Sequence, residues 1–80
     1  MNNIKERVGQ CFSNVFPKIR PEEIPAASSD SLPAWDSVAH VTLLSSLSEE
    51  FGLDFEPEDF EELVSYSLIV GYLEKKFPDA

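Results

Sequence analysis

Leu32-Pro33-Ala34-Trp35-Asp36-Ser37-Val38-Ala39-His40-Val41 decides the fold, because a proline-bearing segment here gives way to an amphipathic helix. Asp36 and Ser37 are both strong N-cap residues. Val41, Leu44, Leu47 and Phe51 then recur at helical spacing until Gly52 supplies a stop. The spacing predicts a helix over about 37–51 with those four residues on its buried side. A serine at such a helix start is exposed, where unpaired backbone N–H groups and the positive end of the helix dipole converge. An anionic group attached to it would be stabilised. The plainer reading of Asp36-Ser37 is a cap and nothing more, and the dipeptide alone favours that reading.

Upstream, Pro17, Pro21, Pro25 and Pro33 stand among Ser28, Ser29, Asp30 and Ser31, a composition of turns. One helical turn at Pro21-Glu22-Glu23-Ile24 is expected inside this long connection, with Ile19, Ile24 and Leu32 pinning it to the core. Before it, Ile4, Val8, Cys11, Phe12, Val15 and Phe16 form one stripe of a first helix, about 3–16, closed by Pro17. Downstream, Pro57 opens a short acidic helix, about 57–64, with Glu58 and Asp59 in its first turn and Phe60, Leu63 and Val64 facing inward. Ser65 or Ser67 caps a last helix, about 67–77, that buries Leu68, Ile69, Tyr72, Leu73 and Phe77 and ends near Lys75, Lys76 and Pro78. Gly71 inside that helix points to close helix packing. Only Leu53-Asp54-Phe55-Glu56 looks strand-like. The expected architecture is all-α, a single domain over 1–80 built as a four-helix bundle of three main helices and one short one, with a long first loop.

Eighty residues allow one modest core, which makes a deep catalytic pocket an unpromising expectation. The formal net charge is -9, and every basic residue lies outside 21–74, while all the acidic residues except Glu6 and Asp79 lie inside it. Such a surface repels nucleic acid and anionic membrane, so neither nucleic-acid binding nor membrane insertion is expected. The single cysteine, Cys11, excludes an intramolecular disulfide and any thiolate-rich metal site, and its place in the first apolar stripe reads as a buried structural thiol. The longest apolar run, Leu68 to Leu73, is too short to span a bilayer, and a cytoplasmic location is expected.

The order of helices, the long first loop, Trp35-Asp36-Ser37-Val38 and Leu47-Ser48-Glu49-Glu50-Phe51-Gly52-Leu53 together resemble the acyl carrier protein family over nearly the whole chain. The resemblance implies a stand-alone carrier with no catalytic residue and no metal site of its own. It implies that Ser37 receives a covalent 4′-phosphopantetheine from coenzyme A, whose thiol holds acyl or aminoacyl groups as thioesters. By the same resemblance, a magnesium-dependent phosphopantetheinyl transferase makes the attachment, Asp36 assists that transferase's metal site, and Val38 supplies the apolar contact after the serine. An acyl- or aminoacyl-loading ligase or transferase and downstream biosynthetic enzymes, of fatty acid or polyketide type, are the implied further partners. Glu49, Glu50, Glu56, Glu58, Asp59, Glu61 and Glu62 are the acids expected to steer docking onto basic partner surfaces. Ala39, Thr42 and Ser48 stand where typical fatty-acid carriers are acidic. Val38 replaces a leucine, and Pro33-Ala34-Trp35 replaces a Gly-containing approach. These departures point to a dedicated secondary pathway.

Three rivals stand beside this reading, the last two from other classes. A peptidyl or aminoacyl carrier shares the Ser37 chemistry, whereas an acidic helical adaptor without a prosthetic group predicts function that survives Ser37→Ala. A minimal serine hydrolase using Ser37 and His40 lacks an orienting acid and an oxyanion hole. His40 lies one turn after Ser37 and reads as a partly buried structural histidine at the mouth of a cleft, without a second His or Cys to share a metal. Trp35 reads as an anchor packing the loop onto the bundle.

Overall fold

Helices form where caps and apolar periodicity coincide. In the computed structural model, which describes residues 3–78, α1 spans Ile4–Val15, α2 Ser37–Phe51, α3 Pro57–Glu62 and α4 Tyr66–Lys76. A 3₁₀ helix over Pro21–Ala26 interrupts the long connection between α1 and α2. The all-α bundle of three main helices and one short one is the architecture expected from the sequence. No strand occurs among the described residues; Ser28 and Ser65 form an isolated bridge, and residues 53–56 stay irregular.

Several boundaries have a local cause. Asp36 caps α2 by accepting the Ala39 N–H at 2.9 Å, and Gly52 ends it in the left-handed region at φ 64°. Ser65 caps α4 by accepting the Leu68 N–H at 3.2 Å. At α3, with Pro57 in its first turn, the Asp59 carboxylate reaches back to the Glu56 N–H at 2.7 Å. That helix ends at Glu62, two residues short of expectation, and α4 starts one residue early.

The core centres on Phe12. Its ring meets Trp35 edge-on at 5.4 Å, Tyr66 edge-on at 5.7 Å and Phe16 at 6.0 Å. Around it, α1 packs on α2 and α4, and the 3₁₀ helix lies across α1 and α4 through buried Ile24. The long connection is therefore pinned rather than loose. The Ser29 N–H donates to the Val64 carbonyl at 2.9 Å, and the Tyr66 N–H donates to the Ala27 carbonyl at 3.0 Å. Arg7 ties α1 to the end of α2, donating to the Glu50 carboxylate at 2.8 Å and its carbonyl at 2.6 Å, with the guanidinium 4.3 Å from the centre of the Phe51 ring.

Several expectations about facing are corrected. Val41 is 52% exposed and Leu68 51% exposed, while Leu43, Val70 and Tyr66 are buried in their stead. On α2 and α4 apolar residues occupy more positions than one face can hold, and packing on α1 selects which are covered. Val64 and Phe60 are only half-buried. Gly71 does not mark a close helix approach, since a Cβ there would meet nothing within 4 Å.

Candidate functional site

Ser37 is the first residue of α2 and is exposed, so its hydroxyl stands at the electropositive tip of a 15-residue helix. Neighbouring Asp36 is exposed as well. Its carboxylate spends one bond on the cap and, with about four acceptor sites, keeps capacity for a further partner. Val38 follows at 75% exposure, a large apolar side chain held out to solvent. The exposed Thr42 hydroxyl bonds back along the helix, donating to the Val38 carbonyl at 3.1 Å. From Ser37 to Ser48 the helix carries no acidic or Lys/Arg side chain.

What holds this corner is a chain of aromatic and hydrogen-bond contacts through His40. The Trp35 indole N–H donates to His40 Nδ1 at 2.9 Å, and His40 Nε2 lies at hydrogen-bond distance from the Phe60 carbonyl. An indole can only donate, so Nδ1 is the acceptor, the ring proton sits on Nε2, and Nε2 donates to Phe60. Both ring nitrogens are committed, which leaves none to serve as a base for Ser37 or as a metal ligand. The imidazole also meets the Phe60 ring edge-on at 6.1 Å and the Trp35 ring at 5.9 Å. Trp35 itself is 4% exposed and acts as the expected loop anchor.

Two cavities flank this contact. One, of about 230 Å³, opens beside Ser37 and is lined by Ser29, Trp35, Asp36, His40 and Val64. The other, of about 370 Å³, lies between α2 and α3 over Leu44, Phe55 and Phe60, rimmed by Ser45, Ser48, Glu49 and Asp54. Sequence reading did not single out Ser29, Val64 or Phe60 for this site, and their distance along the chain from Ser37 left no signal to find them.

The expected docking acids divide. Glu49, Glu56, Glu58, Glu61 and Glu62 are exposed, and Glu50 is exposed but paired with Arg7. Asp59 is corrected: it is 7% exposed, accepts the Glu56 N–H, and accepts the Tyr72 hydroxyl at 3.1 Å, so it is a structural cap and not a surface acid. Pro57 in the first turn of α3 with an acid two residues on carried that signal in the sequence. Burial, reinforced by the Asp59 bond and charge, pushes the Tyr72 phenol above its ordinary range. Burial likewise raises the Cys11 thiol, partly offset by a Ser46 hydrogen bond, which fits an inert core cysteine.

Among the described residues no three His, Cys, Asp or Glu side chains group to hold a metal ion, and no helix is long and apolar enough to cross a membrane. No family model matches the chain, and no solved structure matches it. Among curated proteins, 79 residues align at 30% identity with the polyketide synthase PksN of Bacillus subtilis, covering 99% of this chain but 1% of that protein. The acyl carrier protein of Buchnera aphidicola from Schizaphis graminum is 31% identical over 78 residues, covering 95% of this chain and 96% of that one. End-to-end similarity at that level, on an all-helical chain with an exposed serine opening its second helix, means that this protein belongs to the acyl carrier protein family and is a non-enzymatic carrier.

Proposed function

We propose that Ser37 carries a 4′-phosphopantetheine arm and that the protein presents acyl or aminoacyl thioesters on it to biosynthetic enzymes. The observation that carries this reading is the exposed Ser37 hydroxyl at the start of α2, beside the Asp36 cap, in a chain of this family. When bound, the arm supplies a mobile thiol that forms and surrenders thioesters. The Ser37 oxygen forms the new phosphoester bond as the pyrophosphate link of coenzyme A breaks. Adenosine bisphosphate leaves, and the hydroxyl proton passes to the phosphopantetheinyl transferase. In this reading Asp36 shares that transferase's magnesium and Val38 enters an apolar hollow on it, roles that the exposure of both side chains supports.

The helix dipole favours the attached phosphodiester by roughly 0.3–1 kcal/mol, while the adjacent Asp36 carboxylate opposes it. Two exposed terms of opposite sign leave the arm tethered without being clamped, as a carrier that must visit several active sites requires. Glu49, Glu58 and Glu61, exposed at the far end of α2 and on α3, supply attraction for basic partner patches, with Glu56 and Glu62 beside them. Val38 and Val41, exposed on the uncharged first turns of α2, favour a partner with apolar residues near the serine, which supports a dedicated pathway over the central fatty-acid one. Intact-mass analysis after incubation with coenzyme A, magnesium and a promiscuous phosphopantetheinyl transferase should show one added phosphopantetheine, and none on Ser37→Ala. An unchanged mass for the native chain would reject the proposal.

A further inference from the structure

We propose that His40 is a barrier that keeps a chain tethered at Ser37 out of the cavity between α2 and α3, so that this carrier displays its cargo at the surface. The proposal rests on Ser37 being the attachment point. Ser37, His40, Leu44 and Ser48 lie one turn apart along a single stripe of α2, so the path along that stripe from the serine to the second cavity crosses His40. His40 lines the cavity beside Ser37, and Phe60 lines the one beyond it; no lining residue is common to the two. The barrier is their contact: the imidazole edge-on against the Phe60 ring at 6.1 Å, and Nε2 bonded to the Phe60 carbonyl.

The barrier is held shut from behind. Swinging the imidazole aside strands the indole N–H of Trp35, a residue 4% exposed whose donor bonds His40 Nδ1 at 2.9 Å. Among the described residues every buried side-chain polar atom has a partner, so the closed arrangement is fully satisfied and the open one is not. An apolar chain gains by reaching Leu44, Phe55 and Phe60, but it must first displace a histidine bonded at both nitrogens. Removing the imidazole takes away the side chain that stands between the two cavities.

The test does not require the transferase. Ser37→Cys is alkylated with N-methyl-, N-butyl- or N-octyl-iodoacetamide, with buried Cys11 left unreacted and a single adduct verified by mass, and backbone amide shifts are recorded by NMR. With His40 present, the octyl adduct should leave Leu44, Ser45, Ser48 and Phe55 where the methyl adduct leaves them. With His40→Ala those signals should move, and move further from butyl to octyl. Alanine is the best helix former, so α2 is expected to persist, and Phe60→Val, which keeps the carbonyl and removes the ring, is the second opening variant. Equal octyl shifts with His40 in place overturn the proposal, as do unmoved signals in both variants. Loss of fold in both, seen by circular dichroism, also overturns it by assigning the pair to stability alone. A native chain that gains no phosphopantetheine in the mass assay defeats the reading of Ser37 and leaves the alkylation result standing on its own.

Discussion

At Asp36 one carboxylate is given two duties, and a pair of substitutions separates them. Asp36→Ala removes the bond to the Ala39 N–H and should cost about 1 kcal/mol, read as a lower urea midpoint. Asp36→Asn keeps a good cap without the charge, so its midpoint should stay near the native one while its rate of pantetheinylation falls; equal rates for Asn and Asp would remove Asp36 from the transferase's metal site. The residues that made this corner legible were the local ones: a cap, a serine, a proline-bearing lead-in. Asp59 was misread because charge is the default signal of exposure, and its carboxylate is instead consumed by the Glu56 N–H and the Tyr72 hydroxyl, the second of them thirteen residues away. His40 was legible as partly buried and structural, whereas its commitment at both nitrogens depends on Phe60, twenty residues on, which no local pattern could supply.

Helix existence followed from caps and periodicity, but helix facing did not. Val38, Val41, Leu43, Leu44 and Leu47 offer α2 more apolar positions than one stripe can bury, and its contact with α1 chose Leu43 over Val41. Glycines obey the same logic of context. Gly71 lies inside α4 with open space where a Cβ would go, so Gly71→Ala should stabilise by about 0.5–1 kcal/mol, measured as a raised urea midpoint. Gly52 at φ 64° is the opposite case: alanine there should cost about 1–2 kcal/mol through the left-handed backbone alone. The tie from α4 to α3 has a pH signature. Tyr72 holds its proton more tightly folded than unfolded, so its contribution is intact below the ordinary phenol value of about 10 and is lost as pH climbs through that value and beyond. Tyr72→Phe should therefore lower stability at neutral pH by about 0.5–1.5 kcal/mol and make the alkaline decline shallower in pH-dependent thermal melts; an unchanged alkaline slope would remove Tyr72 as its source.

Across the whole molecule a charge of -9 is spread over a body with a radius of gyration of 11.6 Å, comparable with the Debye length of about 10 Å at 0.1 M salt. Each acid of the central stretch therefore feels many of the others, and the described residues set against this field an exposed ion pair, Arg7–Glu50, its side chains 40% and 42% exposed. Such a pair is worth about 0–1 kcal/mol and is itself screened, so self-repulsion wins the comparison. Raising sodium chloride from about 0.01 M to 0.15 M should accordingly raise the melting temperature, and Glu50→Gln, which breaks the pair but removes one negative charge, should shift stability by no more than about 0.5 kcal/mol. Arg7→Ala should cost more than Glu50→Gln, because it also forfeits the stacking on Phe51 and the bond to the Glu50 carbonyl. The same field has the opposite consequence for function: salt that relieves repulsion within the fold also weakens attraction to a basic partner, so the apparent association rate with a phosphopantetheinyl transferase should fall over the range in which the melting temperature rises. A melting temperature that drops on adding salt would mean that local pairs, and not the summed charge, govern stability.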